Sequence, residues 1–339
     1  MSVKHSIILG IESSCDDTSA AILVGNKIVS NCIANQKIHQ KYGGVVPELA
    51  SRAHQENIVP VVQEALSSAG ISLKDIDAIA CTRGPGLMGS LVVGVSFSKS
   101  LALSIGVPII EVNHMKAHIL AHFINDESHE IPKFPFICLT VSGGHTQLVK
   151  VDSPYEMEVI GTTIDDAAGE AFDKAAKMIG IDYPGGPRLD KYAELGNPYK
   201  FKFAKPKVTN LDFSFSGLKT SILYNIRDWK KEDERFVENH FNDLCASIRH
   251  TIVDILMNKL EMASKQTGIK EIAIAGGVSA NSELRRRLKE KETEGWKVHI
   301  PKFEYCTDNA AMVAIAGKYS FDNKIFSNQR IAADPKLPW

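Results

Sequence analysis

Ser6-Ile7-Ile8-Leu9-Gly10-Ile11-Glu12-Ser13-Ser14-Cys15-Asp16-Asp17-Thr18 opens the chain with an apolar run that ends in a polar turn. Apolar residues over 20–24 and 27–34, parted by Gly25-Asn26, predict two further strands and so a β-meander. Far downstream the plan recurs. Residues 136–141 are apolar, Ser142-Gly143-Gly144-His145 is a polar turn, and 146–151 reads as the next strand. Each meander is followed by a helical stretch stopped by glycine, over 47–69 before Gly70 and over 236–267 before Gly268. Strands at 76–81 and 272–275 come next, each leading through a glycine loop into a helix, at 90–103 and 282–289. Both halves add a strand, at 107–112 and 297–301, and a last helix.

A duplication of this size predicts an α/β protein of two like lobes around a central cleft. The first lobe is expected over 1–112, joined by the tail 307–339, and the second over 113–306. The second copy carries an insertion at about 164–235, with a helix at 167–179, that is expected to rim the cleft.

Composition removes several classes. The 339 residues hold 39 Lys+Arg and 40 Asp+Glu, a formal net charge of −1, so nucleic acid can be held only through a local patch. The six cysteines form no CxxC pair, which excludes a Cys-type zinc site and points to reduced thiols in the cytoplasm. The apolar region 91–110 is interrupted by Lys99, Pro108 and several Ser and Gly, so no membrane partner is expected, and no leader is expected before the first strand.

Four constellations carry chemistry. Ser142-Gly143-Gly144 and Gly276-Gly277 stand at equivalent points of the two copies. Glycine turns of this kind aim backbone N–H groups at phosphate, although either one alone is also an ordinary tight turn. Neither matches a P-loop or a GxGxxG fingerprint. His114 and His118 stand at i, i+4, so a helix would put both imidazoles on one side, as metal ligands or as two exposed histidines. At the matching point of the second copy Thr307 is expected to cap a helix from 308, with Asp308 facing the histidines across the cleft. Two His and one carboxylate with open positions suit iron, zinc or manganese.

Asp166, Glu170 and Asp173 make an acidic row on the 167–179 helix, which is either solvated or turned to ribose hydroxyls. Lys200, Lys202, Lys205 and Lys207, interleaved with Phe201 and Phe203, read as a phosphate-gripping and base-stacking stretch or as a solvated loop. Arg285-Arg286-Arg287 is a second basic cluster.

These residues resemble a known family. Gly10-Ile11-Glu12-Ser13-Ser14-Cys15-Asp16-Asp17-Thr18, Tyr42-Gly43-Gly44-Val45-Val46-Pro47-Glu48, Asn113-His114-Met115-Lys116-Ala117-His118, Val141-Ser142-Gly143-Gly144-His145-Thr146, Asp165-Asp166-Ala167-Ala168-Gly169-Glu170-Ala171-Phe172-Asp173-Lys174 and Gly276-Gly277-Val278-Ser279-Ala280-Asn281 are similar to motifs of the tRNA threonylcarbamoyladenosine transferases, bacterial type, nearly end to end. That family was once read as O-sialoglycoprotein endopeptidases and has the actin-like ATPase superfold.

The resemblance implies transfer of a threonylcarbamoyl group from threonylcarbamoyl-AMP to the exocyclic amine of the adenosine 3′ of the anticodon in tRNA, releasing AMP. It implies one divalent metal per chain, iron(II) with zinc as the alternative, on His114, His118 and Asp308. It also implies adenylate contacts at Thr140, Val141, Ser142, Gly143, Gly144, Asp173, Gly186, Asp190 and Asn281. Thr140 departs from the family's commoner Leu, a change that a backbone contact would survive. Asp16 and His145 are the candidate catalytic bases. Partners implied are tRNA, an inactive paralogue and a small P-loop ATPase; Ile58, Val59, Val62 and Leu66 are read either as a partner face or as core.

Two other readings stay open. An actin-like ATPase or small-molecule kinase fits the duplication. A metallopeptidase fits the His pair but lacks the Glu that HExxH would place at Met115.

Overall fold

The computed structural model describes residues 5–126 and 130–339. It divides into two compact units, Met1–Ile131 with Pro301–Trp339, and Pro132–Ile300.

In the first unit β1 (Ile7–Glu12), β2 (Thr18–Val24) and β3 (Lys27–Ala34) form the expected meander, with β1 antiparallel to β2 and β2 to β3. The helix α1 (Pro47–Ala69) starts on a proline, whose missing N–H costs nothing there, and stops at Gly70 in the left-handed region. β4 (Ala78–Gly84) runs parallel to β1, and after α2 (Met88–Ile105) β5 (Ile109–Asn113) runs parallel to β4. The sheet order is β3-β2-β1-β4-β5. The short helix α3 (His114–Leu120) leaves β5 directly.

The second unit repeats the plan. β6 (Phe136–Val141), β7 (Thr146–Val151) and β8 (Met157–Thr162) are its meander. Then come α4 (Ala168–Met178), α5 (Gly185–Ala193), α6 (Ser216–Glu232), α7 (Phe236–Asn239) and α8 (Phe241–Thr267). β9 (Glu271–Ala275) pairs parallel with β6, α9 (Ser282–Glu290) follows, and β10 (Lys297–His299) pairs parallel with β9. The order β10-β9-β6-β7-β8 matches the first sheet strand for strand. The chain then returns to the first unit through α10 (Ala310–Asp322).

Each unit has its own core. Leu9, Ile11, Ile22, Ile58, Val62 and Ile79 belong to the first; Phe172, Phe213, Phe215, Leu218, Ile222 and Ile248 belong to the second. Ile58 and Val62 are therefore core residues, Leu66 packs against the same core, and Val59 alone of that quartet is exposed. α2 is the one described helix long and apolar enough to cross a membrane; it packs on β4 and α1 through Leu91, Gly94, Val95 and Ala102. All six cysteines are free.

The structure differs from the expectations at three places. The seam falls after Ile131 rather than after 112, because α3 packs on α10 within the first unit. The stretch 236–267 breaks at His240, whose backbone leaves the helical region while its ring packs on Phe236 and Phe201. The last helix starts at Ala310 with Asn309 as its cap, the side-chain oxygen accepting from Met312 N at 3.0 Å, so Thr307 is not the cap.

α10 lies against β1 at Gly10, where an added Cβ would stand 2.4 Å from the Ala310 carbonyl oxygen and 2.9 Å from Ala314 Cβ. Gly10→Val should therefore force the helix off the strand and cost about 1–3 kcal/mol. Urea unfolding checks this, and an unchanged midpoint would show that α10 has room to shift.

Candidate active site

His114, His118 and Asp308 come together in the first unit, each offering one ligand atom, all within 4.8 Å of one another. Asn113 makes this local geometry. It caps α3 by accepting from Met115 N and Lys116 N at 2.9 and 3.2 Å, so the helix begins at His114 and the next ligand arrives one turn later. The two rings meet edge to face with centroids 4.7 Å apart. Asp308, just ahead of the cap of α10, sets Oδ1 3.5 Å from His114 Nε2 and 3.2 Å from His118 Nε2. The carboxylate thus arrives from the same unit as the histidines, and not across from a facing lobe.

A residue that pattern reasoning passed over completes the centre. Glu12, at the end of β1, is 0% exposed. Its Oε1 accepts from Ser14 N at 2.5 Å, and its Oε2 accepts from Thr82 Oγ1 at 2.5 Å. That same Oε2 stands 3.2 Å from His114 Nδ1. With Nδ1–H donated to Glu12, the His114 lone pair lies on Nε2, beside Asp308 and His118. A charged residue closing a wholly apolar strand was the sequence signal for it.

The charges answer one another. Burial lowers the His114 pKa, but the Asp308 and Glu12 carboxylates outweigh it and hold it up at about 9. Burial opposes the Glu12 charge in turn, and His114 with Thr82 outweighs that and keeps the carboxyl below its usual range. Burial, then Asp308 and Asp16, push the Cys15 thiol far up. The donor set fits a divalent ion with open positions, two imidazoles and one carboxylate, with the buried His118 Nδ1 lacking a partner among the described residues.

Asp16 lies half-buried in the turn after β1, and its neighbour Asp17 accepts from Asn35 Nδ2 at 2.8 Å. Burial, with the charges of Asp16 and Asp308, raises Asp17 to about 7 despite that hydrogen bond.

The nucleotide-binding candidates all lie in the second unit. Ser142 N donates to His145 O at 2.8 Å and His145 N to Ser142 Oγ at 3.1 Å, which closes the turn and leaves Gly143 and Gly144 exposed. Thr140 is buried in β6, its hydroxyl donating to Gln147 O at 3.3 Å and its backbone in register with Gln147 of β7 and Ala275 of β9. Gly276, at φ +88°, brings the loop after β9 against β6; a Cβ there would meet Val141 O at 2.5 Å. Asp173 Oδ1 accepts from Gly185 N and Gly186 N at 2.9 and 3.0 Å and so fixes the start of α5. Burial raises its pKa even so. Asp190 Oδ1 accepts from Asn281 Nδ2 at 3.1 Å, joining α5 to the start of α9. Asn281 also caps α9 by accepting from Leu284 N at 3.0 Å. His145 sits in this unit and Asp16 in the other.

Other candidates dissolve into structure. Asp166 and Glu170 pair with Lys174 at 2.9 and 2.7 Å, whereas Asp173 is held by the N–H groups that open α5. Phe203 is buried and Phe201 packs on Trp229, Phe236 and His240, so neither ring is a stacking platform. Lys200 pairs with Asp243 at 2.6 Å, Lys205 pairs with Asp254, and only Lys202 and Lys207 show no such pair. In the Arg cluster, Arg286 pairs with Glu290 at 2.6 Å and Arg287 with Asp254 at 3.0 Å. The expected basic grip is largely spent on these internal pairs.

Residues 27–315 match a family model described as tRNA N6-adenosine threonylcarbamoyltransferase (TsaD). A protein of that name from Christiangramia forsetii is 59% identical over 337 residues, covering 99% of each chain. One from Porphyromonas gingivalis is 60% identical over 321 residues, covering 94% of each. Among solved structures, full-length HypF in its phosphate- and nucleotide-bound form aligns with TM-score 0.61 at 15% identity, over 96% of this chain and 48% of that one. Component A of the Acidaminococcus fermentans (R)-2-hydroxyglutaryl-CoA dehydratase aligns with TM-score 0.51 at 14% identity, over 94% and 99%. At such identities the likeness is one of fold, the actin-like α/β fold of two five-stranded sheets.

Metal binding at this centre must displace a proton from His114 Nε2. Affinity for Zn²⁺, measured by chelator competition, should rise roughly tenfold per pH unit below about 9 and level off above it. Glu12→Gln should move the plateau to lower pH and sink it about 10–100-fold. An unaltered curve in that variant would separate Glu12 from the centre.

Proposed function

The chain belongs to the tRNA N6-adenosine threonylcarbamoyltransferase family, and from that premise we propose how its own residues carry the reaction. It is an acyltransferase that places a threonylcarbamoyl group on the exocyclic amine of an adenosine in tRNA. The donor in this reading is threonylcarbamoyl-AMP, and the target is the adenosine 3′ of the anticodon in tRNAs that read codons beginning with adenine. The adenine nitrogen attacks the carbamoyl carbon, the new N–C bond replaces the C–O bond to phosphate, AMP leaves, and the amine proton passes to a base. An adenine amine is a weak nucleophile because its lone pair is delocalised into the ring. A mixed anhydride supplies the missing driving force, so the protein's work is to position and to stabilise charge.

His114, His118 and Asp308 are the residues that would hold a divalent metal, iron(II) in this reading with zinc as the alternative. Such an ion supplies Lewis-acid polarisation of a carbamoyl or phosphate oxygen. Glu12 keeps His114 in the ligating tautomer. The turn Thr140–Val141–Ser142–Gly143–Gly144 receives the adenylate phosphate, with the N–H groups of the exposed Gly143 and Gly144 as donors, and Asp173, Gly186, Asp190 and Asn281 receive its nucleoside. The closed Ser142–His145 turn with its two exposed glycines supports that role. Asp16 and His145 are the candidates for taking the amine proton. A peptidase reading loses its base, since Met115 is buried and apolar. A kinase reading rests on fold likeness alone.

Of the 200–207 stretch Lys200 and Lys205 are drawn into surface ion pairs, so a composite tRNA surface with partner chains fits the net charge of −1 better than this stretch alone. The reading includes an inactive paralogue and a small P-loop ATPase as those partners, in the cytoplasm, because this sequence has no P-loop of its own.

The single observation that carries the reading is the His114–His118–Asp308 cluster in a chain of this family. Incubation of the chain with threonylcarbamoyl-AMP and unmodified tRNA, followed by nucleoside analysis, should yield threonylcarbamoyladenosine and AMP in equal amounts. His114→Ala and Asp308→Ala should each cut the rate at least about a hundredfold together with metal content. Turnover should be slow for the chain alone and sustained when the paralogue and ATPase are added. Full activity of either variant without metal would refute the site, and sustained cycling by the chain alone would refute the partner requirement.

A further inference from the structure

Arg249 of α8 is a cation whose side chain is only 9% exposed, and it is surrounded by acid. The two N–H groups of its Nη1 are shared among Asp190 Oδ1 at 2.9 Å, the Asp190 backbone oxygen at 3.1 Å, Ser282 Oγ at 2.9 Å and Glu194. Its Nε stands 3.2 Å from Oε2 of the buried Glu283. The metal centre does not use this group, and packing does not need it, since an apolar residue would fill a core helix position at less desolvation cost. What distinguishes its partners is where they lie. Asp190 is on α5, one turn beyond Gly186, and Ser282 and Glu283 open α9, directly after Asn281.

The hydrogen bonds around Asp190 leave one place open. Oδ1 accepts from Arg249 Nη1, from Asn281 Nδ2 at 3.1 Å and from Ser282 Oγ at 2.9 Å, and is saturated. Among the described residues Oδ2 accepts only from Ser282 N at 3.0 Å, so one acceptor position remains on it. Asn281 is likewise committed: its Oδ1 caps α9 and one Nδ2–H goes to Asp190, which leaves a single N–H. From this we propose that Arg249 is a positioning residue for the nucleotide: it locks Asp190 in the rotamer that leaves Oδ2 to accept a ribose hydroxyl, and holds α5 and α9 at the spacing that ribose needs. The proposal rests on the reading of Asp190 and Asn281 as adenylate contacts.

The test uses AMP and 2′,3′-dideoxy-AMP, titrated calorimetrically into the whole chain. Wild type should prefer AMP by about ten- to a hundredfold, the range of a hydrogen bond to a charged acceptor. Asp190→Asn reports on the underlying reading. Arg249→Met reports on the proposal, and Arg249→Met with Glu283→Gln keeps a foldable variant by removing one of the buried carboxylates left unpaired. Arg249→Lys asks how much a point charge restores. In both Met variants AMP affinity should fall to that of the dideoxy compound, with dideoxy binding and metal content unchanged; Lys should recover part of the preference. If Asp190→Asn abolishes the preference and the folded Arg249→Met, Glu283→Gln chain retains it, Arg249 is structural only and the proposal is overturned. If Asp190→Asn retains the preference too, the adenylate reading of Asp190 has failed and takes the proposal with it.

Discussion

A fully buried carboxylate cannot be left alone, and Glu12 closes β1 at 0% exposure. Its partners come from three places: the turn that follows it, β4 through Thr82, and α3 through His114. Removing His114, its cationic partner, would leave that charge unpaired in a low-dielectric interior, typically at a cost of about 3–5 kcal/mol. The first unit is therefore built so that strand end, neighbouring strand and ligand-bearing helix have one solution. Gly10, two residues earlier on the same strand, lets α10 lie close, and the residues just ahead of α10 bring Asp308. The three candidate donors are thus set by β1.

The second unit uses the same device with different residues. Asp173 fixes the start of α5, Asp190 joins α5 to α9, and Asp165 holds the start of α6 by accepting from Phe215 N at 2.7 Å and Ser216 Oγ at 2.8 Å. In each case a carboxylate accepts from the free N–H groups or the capping side chains of a helix start, where negative charge is favoured. Helix starts that would otherwise be independent are tied to one another, and the glycine turns are held open beside them. The duplicated sheets supply a repeated frame, and the carboxylates at its ends tie the helix starts together.

Much of this was legible in the residues. Strand runs, glycine stops and the i, i+4 histidines follow local rules, and the structure returns α1 and several strands at the expected ends. Local rules fail where a residue's partner is distant in sequence. Glu12 looked like the polar start of a turn because Thr82 and His114 lie far along the chain. Asp308 looked like the first residue of a helix, but Asn309 offers the better cap and leaves it outside. Lys200 and Lys205 looked exposed and cationic; α8 supplies Asp243 and Asp254 to neutralise them, and the hydrophobic core takes the two phenylalanines between. The seam was misjudged because sequence shows where α3 begins and not that it packs on α10.

The central claim is that one buried constellation, with imidazole nitrogens and a carboxylate oxygen as donors, holds the metal on which the transferase depends. X-ray absorption at the metal edge of the loaded chain reads those donors directly. The account predicts a first shell of nitrogen and oxygen only, with the multiple-scattering signature of two imidazoles, falling to one in His118→Ala. A sulfur shell near 2.3 Å, the distance of a thiolate ligand, or an imidazole count unaffected by that substitution, would contradict it.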